Sequence, residues 1–295
     1  MTYNLIHRTI YEYAAPVTVS HHSARVEPRE LPRQKVERYA LTIDPQPSVA
    51  KTRTDFFGNR VCGFSVQGIH RHLEITASSK VLVLPPDKVM TAEVLEGSRA
   101  WEETVKLFSD PVSPEVVTPY QFVFASPLLR PSPELAEYAR KSFSAGTPVL
   151  AGARDLTRRI FKDFKYDPKA TTIATPLAEV LKKRRGVCQD FAHLAIASLR
   201  SIGLPARYVS GYLRTHPPAG KPRLVGADAS HAWFAAFCPD LGWVDFDPTN
   251  DLLPGEEHIT VAFGRDYSDV SPVSGVITGG GSHVVKVSVD VEPLS

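Results

Sequence analysis

Cysteine is scarce in this 295-residue chain: Cys62, Cys188 and Cys238 stand far apart, with no CxxC pair. That excludes a disulfide framework and a zinc knuckle, and leaves each thiol to be weighed singly. A surplus of one charge is also missing, since 34 basic residues face 32 acidic ones for a formal charge of +2. Such a balance leaves no electrostatic footprint for nucleic acid or an anionic membrane. No apolar run approaches the roughly 18 residues of a membrane span. The start, Met1-Thr2-Tyr3-Asn4-Leu5-Ile6-His7-Arg8, has no apolar targeting core, so a cytoplasmic location is expected. Phosphate-cradle glycine spacings, HExxH, an acidic calcium loop and internal repeats are all absent, and neither a cofactor nor a metal is expected. Nothing in the sequence specifies an oligomeric state.

What is present suits a globular protein with a real core: 43% hydrophobic and 22% charged residues, with room for one large domain or two. The first 84 or so residues read as strands. Tyr3, Leu5, His7, Thr9 and Tyr11 alternate with more polar neighbours, as do Tyr39, Leu41 and Ile43, then Leu73, Ile75 and Ala77. Phe57-Gly58-Asn59-Arg60 is a turn signal, and Cys62, alternating with Phe64 and Val66, reads as a core residue.

Leu84-Pro85-Pro86 breaks this pattern, and helical signals follow. Ser132-Pro133-Glu134 is a helix start with Ser as cap; Leu156, Ile160, Phe161 and Phe164 mark a second helix, and Thr175-Pro176 opens a third. A fourth is expected to begin near Cys188 and stop before Gly203. Phe191, Ala192, Leu194, Ala195, Ile196, Ala197 and Leu199 surround it with apolar surface, which marks a buried helix. Short strands are expected over Arg207 to Leu213, His231 to Phe237 and Trp243 to Phe246. Gly279-Gly280-Gly281 reads as a flexible turn into a last strand of alternating valines, Val285 to Val291.

Chemistry gathers around Cys188, His231 and Asp247. A thiol at the N-terminal end of a buried helix meets free backbone N–H groups and the positive end of the helix dipole, which favour a thiolate. The Cys188 amide is also a natural oxyanion donor. A buried structural cysteine is the alternative. His231, Trp233, Ala235 and Phe237 share one strand face, with Cys238 on the other beside Phe234 and Ala236. A hairpin at Cys238-Pro239-Asp240-Leu241-Gly242 with three or five loop residues pairs positions whose numbers sum to 478 or 480. His231 and Asp247 are then directly opposite or diagonal neighbours on one face. Asp245 has the same parity and is the second candidate. Thiol, imidazole and carboxylate together suit nucleophilic acyl transfer.

The segments Gly186-Val187-Cys188-Gln189-Asp190-Phe191-Ala192, His231-Ala232-Trp233 and Phe246-Asp247-Pro248-Thr249 resemble the transglutaminase-like superfamily. The resemblance implies an α+β, papain-like core with a Cys-His-Asp triad at Cys188, His231 and Asp247, and it selects Asp247 over Asp245. Residues 3–84 resemble the β-sandwich that precedes this core in bacterial members, through Ser20-His21-His22, Pro28-Arg29 and Asp55-Phe56-Phe57-Gly58-Asn59. The tail, His258-Ile259-Thr260-Val261-Ala262 with Gly264-Arg265-Asp266-Tyr267, is typical of the same group. The chain is expected to divide into an N-terminal β-sandwich (1–90), a helical connecting segment of the core (91–154) and a catalytic core with a C-terminal strand extension (155–295).

Other residues keep two readings each. Tyr166 is an oxyanion donor by analogy with an upstream aromatic in relatives, or a plain core or surface tyrosine. Gln189, which adjoins the nucleophile, is an oxyanion or cleft candidate. Asp228 borders the cleft or caps a turn. Trp233 and Trp243 read first as core and second as cleft lining. His193 lies about 140° round the helix from Cys188 and reads as a packing residue or a supporting donor. Asp190 and His193 have metal-ligand spacing but no third partner. The Thr215–Gly226 loop, broken by Pro217, Pro218, Gly220 and Pro222, is a candidate substrate lip. The expected activity is acyl transfer on a peptide or protein amide through a thioester, with hydrolysis favoured because bacterial proteins of this layout are usually described as cysteine proteases. A cross-linking transglutaminase and a non-catalytic peptide-binding scaffold are the alternatives.

Overall fold

The structure, a computed structural model, describes residues 1–86, 90–109, 114–173, 175–216 and 229–294. Its N-terminal strands are β1 (Thr2–Ala24), β2 (Gln34–Asp44), β3 (Val49–Thr54), β4 (Arg60–Val66) and β5 (His70–Val83). Alternation in β1 does what the sequence suggests: Tyr3, Leu5, His7 and Thr9 are buried while their neighbours are not. The sheet order is β2-β5-β1-β4-β3. An irregularity between Glu12 and Val17 divides β1, so its first half pairs with β5 and its second half with β4. The two halves close on a core that includes Tyr13, Val17, Phe64, Val66, Leu73 and Ile75. Both layers of the expected sandwich therefore belong to one hydrogen-bonded sheet.

Helices follow: α1 (Ala92–Glu96), α2 (Trp101–Leu107), α3 (Pro114–Tyr120), α4 (Pro133–Arg140) and α5 (Val149–Asp163). Ser132 caps α4 as its residue type predicts, accepting from the Leu135 amide at 3.3 Å. A two-residue strand β6 (Lys165–Tyr166) then pairs in parallel with β7 (Arg185–Gly186), with α6 (Leu177–Lys183) between them. Next comes α7 (Cys188–Ser201), ending before Gly203, whose φ of +85° only glycine adopts readily. It is buried on nearly all sides, as its composition predicts. The second sheet is antiparallel in the order β10-β9-β8-β11, built from β8 (Ala206–Leu213), β9 (Ala229–Cys238), β10 (Gly242–Phe246) and β11 (His258–Gly264). Ala232, Phe234, Ala236 and Cys238 join α7 in the main core, so Cys238 is where the alternation put it.

The chain ends with α8 (Tyr267–Val270), β12 (Val273–Gly279) and β13 (His283–Leu294), both strands returning to β1. The glycine run between them, all at positive φ, is a bulge along one continuing edge rather than a reversal. Two side-chain amides bind the N-terminal sheet to the outer edge of β11. Gln34 accepts from the Thr260 amide at 2.8 Å and donates to the Thr260 carbonyl at 2.7 Å. Asn59 does the same for Phe263, at 2.8 Å each way. These bonds satisfy backbone groups that an edge strand otherwise leaves open. No helix among the described residues is long and apolar enough to cross a membrane.

Candidate active site

Local sequence explains how Cys188 is presented. Val187 is extended at the helix cap, and its amide donates at 2.8 Å to Oδ2 of Asp190, which also receives the Thr171 hydroxyl at 2.6 Å. A Cβ on Gly186 would lie 2.6 Å from that same oxygen, so the turn demands glycine. Asp190 is thereby a cap that shapes the nucleophile loop, not a metal ligand with His193. Cys188, half-buried, takes the first helical position. Its amide and that of Gln189, also half-buried, have no acceptor within a helix and are available to a ligand oxygen.

His231 comes from β9. The hairpin pairs Gly242 with Cys238 and Phe246 with Phe234, so partner numbers sum to 480 and His231 and Asp247 are diagonal. Asp247 follows directly on β10 and bridges backbone to backbone with Leu252. Its carboxylate is fully buried and saturated with donors. Oδ1 accepts the Thr249 amide at 2.9 Å and the Asn250 amide at 3.3 Å. Oδ2 receives His231 Nε2 at 2.7 Å, Asn250 Nδ2 at 2.7 Å and His258 Nε2 at 3.2 Å. Burial alone would raise this carboxyl's pKa, but the bonds from His231, His258 and Asn250 hold it well below the usual range. Burial likewise opposes an imidazolium at His231; hydrogen bonding to Asp247 and Cys188 outweighs it and lifts the ring to about 10. With Nε2 committed to Asp247, Nδ1 is the nitrogen left for the thiol.

Asp245 turns elsewhere. Burial raises its pKa against the opposing charge of the nearby Arg207 guanidinium. It helps line a cavity of about 760 Å³ on the face of the sheet away from α7, together with Arg207, Trp233, Trp243 and His258. Arg207 is sandwiched there by Phe263, at 3.6 Å from the ring centre, and Trp243, at 4.5 Å. Trp233 is wholly buried, its ring centre 6.0 Å from that of His231 and edge-on to His258 at 5.2 Å. Gly211, paired with His231 on β8, makes room for it: a Cβ there would strike both the Trp233 ring and the Ile259 carbonyl.

Tyr166 is held beside Gly186 by the β6–β7 pair, and its exposed phenol is raised in pKa by partial burial and by the charge of Cys188. His193 is buried and accepts the Tyr267 amide at 3.1 Å, and burial lowers it to about 4. Asp228 lies outside the described residues, as does the Thr215–Gly226 loop from residue 217 onward.

His258 escaped the reading of the residues. Every residue of β11 is buried, so the strand shows no two-sided alternation, and only the family-like tail pointed at it. His231, Asp247 and His258 offer donor atoms within 4.8 Å of one another, a set able to hold a metal ion. Both rings, however, aim at one oxygen at hydrogen-bond distances. Tetrahedral zinc, with bonds near 2.1 Å, needs donors about 3.4 Å apart. The arrangement is that of a hydrogen-bonded cluster.

A helix-borne thiol facing an imidazole and a carboxylate from an antiparallel sheet is the plan of a papain-like core. Residues 3–82 match the bacterial transglutaminase-like N-terminal region, and residues 136–248 match the transglutaminase-like superfamily. A Mycobacterium tuberculosis protein is 41% identical over 310 residues, covering 99% of this chain and 93% of its own; one from Mycobacterium leprae is 33% identical, covering 99% and 98%. The solved structure of a candidate cysteine protease from Cytophaga hutchinsonii superposes with a TM-score of 0.76 at 21% identity, covering 100% of this chain and 92% of that one. The chain belongs to the transglutaminase-like superfamily. A Pseudomonas aeruginosa protein-glutamine gamma-glutamyltransferase is 32% identical over 107 residues, which is 34% of this chain and 16% of that protein.

Proposed function

We propose that the protein is a cysteine-dependent acyl-transfer enzyme acting on peptide or protein amides, with hydrolysis as its principal outcome. The observation that carries this reading is the 2.7 Å bond from His231 Nε2 to a buried Asp247, on a ring that also interacts with the Cys188 thiol. In the reaction, Cys188 Sγ attacks the amide carbonyl carbon. The resulting oxyanion is held by the Cys188 amide and the Tyr166 hydroxyl. His231, charged from its pairing with the thiol, passes its Nδ1 proton to the departing amine, and a thioester remains on Cys188. Water, deprotonated by His231, attacks the thioester, and collapse releases the acid and restores the thiol. Asp247 keeps the imidazole oriented and favours its charged form throughout. Such acid–base help is worth roughly 10²–10⁴-fold.

A second reading, transamidation, is favoured by the partial likeness to the glutamyltransferase. Both share acylation and differ only in what attacks the thioester. Incubation with unfolded casein and a fluorescent primary amine separates them. Hydrolysis gives new peptide termini or released ammonia; transamidation gives fluorescent casein. If neither exceeds the Cys188→Ala control, the enzymatic reading fails for this substrate class and a binding scaffold takes its place.

A further inference from the structure

Two histidines meet on one oxygen of Asp247, and the proposed mechanism uses only one. His258 is buried, as is the carboxylate it contacts at 3.2 Å. The other contacts of Asp247 divide into His231 itself and groups two or three residues away in the same turn, the Thr249 and Asn250 amides and the Asn250 side chain. Apart from the catalytic His231 on β9, His258 is thus the sole donor among the described residues that ties the carboxylate to another strand. Facing a carboxylate oxygen, His258 Nε2 is the donor in this bond. Its Nδ1 is buried with no hydrogen-bond partner among the described residues, on a residue that lines the 760 Å³ cavity. Leaving that atom unpaired costs free energy. The cost makes sense if the Nε2 bond is what the residue is for.

The strand behind His258 is fixed from outside the core. Thr260, two residues along β11, has both backbone groups taken by Gln34 of the N-terminal sheet. Gln34 also donates to the Arg29 carbonyl at 2.8 Å, which fixes its amide. We propose that His258 is a positioning residue for the His231–Asp247 pair, and that the N-terminal sheet holds it in register through Gln34. This rests on the acyl-transfer reading. It gives the N-terminal strands a task in the chemistry: they set where β11 lies, β11 sets where His258 lies, and His258 fixes the rotation of the Asp247 carboxylate.

The test is the rate of Cys188 alkylation by iodoacetamide at pH 7, read by peptide mass mapping so that Cys62 and Cys238 are counted apart. His258→Leu is expected to slow it about tenfold, the size of one hydrogen bond to a charged group. His258→Gln, which can place an amide donor near the lost Nε2, is expected to recover most of the rate. The downfield proton of the His231–Asp247 bond should broaden in His258→Leu and return in His258→Gln. Gln34→Leu is expected to slow alkylation two- to threefold alone and to add little on top of His258→Leu, since both act through one path. Equal losses in the Leu and Gln variants would mark His258 as a packing residue and overturn its role; additive losses would overturn the link to Gln34. His231→Ala is measured alongside. If it leaves the rate unchanged, the acyl-transfer reading itself fails. If it slows the rate while His258→Leu does not, only the positioning role fails.

Discussion

The two faces of the β8–β11 sheet are built on different principles. Towards α7, the face carries Ala232, Phe234, Ala236 and Cys238, apolar and closely packed. The opposite face carries Trp233, Arg207, Asp245 and His258, which line a cavity, with His231 beside Trp233. The apolar face fixes the distance from sheet to helix, and so where Cys188 sits. The polar face fixes the angle of the imidazole by hydrogen bonds. Packing is tolerant of chemistry and demanding of volume; hydrogen bonding is the reverse. The difference divides the expected effects of mutation into losses of chemistry and losses of stability.

The largest effect should come from Cys188→Ala, which removes the nucleophile and should abolish thioester formation, followed by mass spectrometry of enzyme quenched with substrate. On the polar face, His231→Ala should slow Cys188 alkylation by roughly 10²-fold, at the low end for a lost base, with a loss of unfolding midpoint that shrinks towards pH 10. On the apolar face the pattern inverts. Phe234→Ala should cost about 3–5 kcal/mol in urea unfolding, while the alkylation rate of the folded fraction changes far less. Gly211→Ala, which crowds Trp233 and β11 together, should cost about 1–3 kcal/mol and disturb both readouts. A result in which Phe234→Ala and His231→Ala affected the two readouts alike would erase the distinction between the faces.

A smaller effect follows from pH. Asp247, held below its ordinary 3.8, stabilises the fold above that value, and this is lost as pH falls through its folded pKa. His231, raised from 6.5 to about 10, stabilises the fold fully below 6.5, and this is lost as pH rises through about 10. Both contributions are therefore complete between pH 3.8 and 6.5. The difference in midpoint between the protein and His231→Ala, by calorimetry, should be widest there in favour of the protein and should narrow towards pH 10. Smallest of all is the effect of a chelator: with the cluster arranged as hydrogen bonds, EDTA should leave the alkylation rate unchanged.

The apolar face was legible in the sequence and much of the polar one was not. Ser132-Pro133, Gly203 and the all-round apolar pattern of α7 are local signals, and the structure follows each of them. The alternation from His231 to Phe237 and the short Pro239-Asp240-Leu241 loop sufficed to put His231 and Asp247 within reach, in the diagonal register. Beyond this, local signals stop. β11 is buried on both sides, so its residues do not alternate and His258 left no periodic trace. The clamps of Gln34 and Asn59 join residues more than 200 positions apart through side-chain amides, which no spacing rule anticipates. The return of β12 and β13 to β1 is equally non-local.

The central claim is that Cys188 is activated by a His231 that Asp247 orients. Its most direct measurement is the site-resolved rate of iodoacetamide reaction for all three cysteines at neutral pH, in the protein and in Asp247→Ala. Cys188 should react far faster than Cys62 and Cys238, and should lose most of that advantage in the variant. Equal rates at the three thiols, or a Cys188 rate indifferent to Asp247, would contradict it.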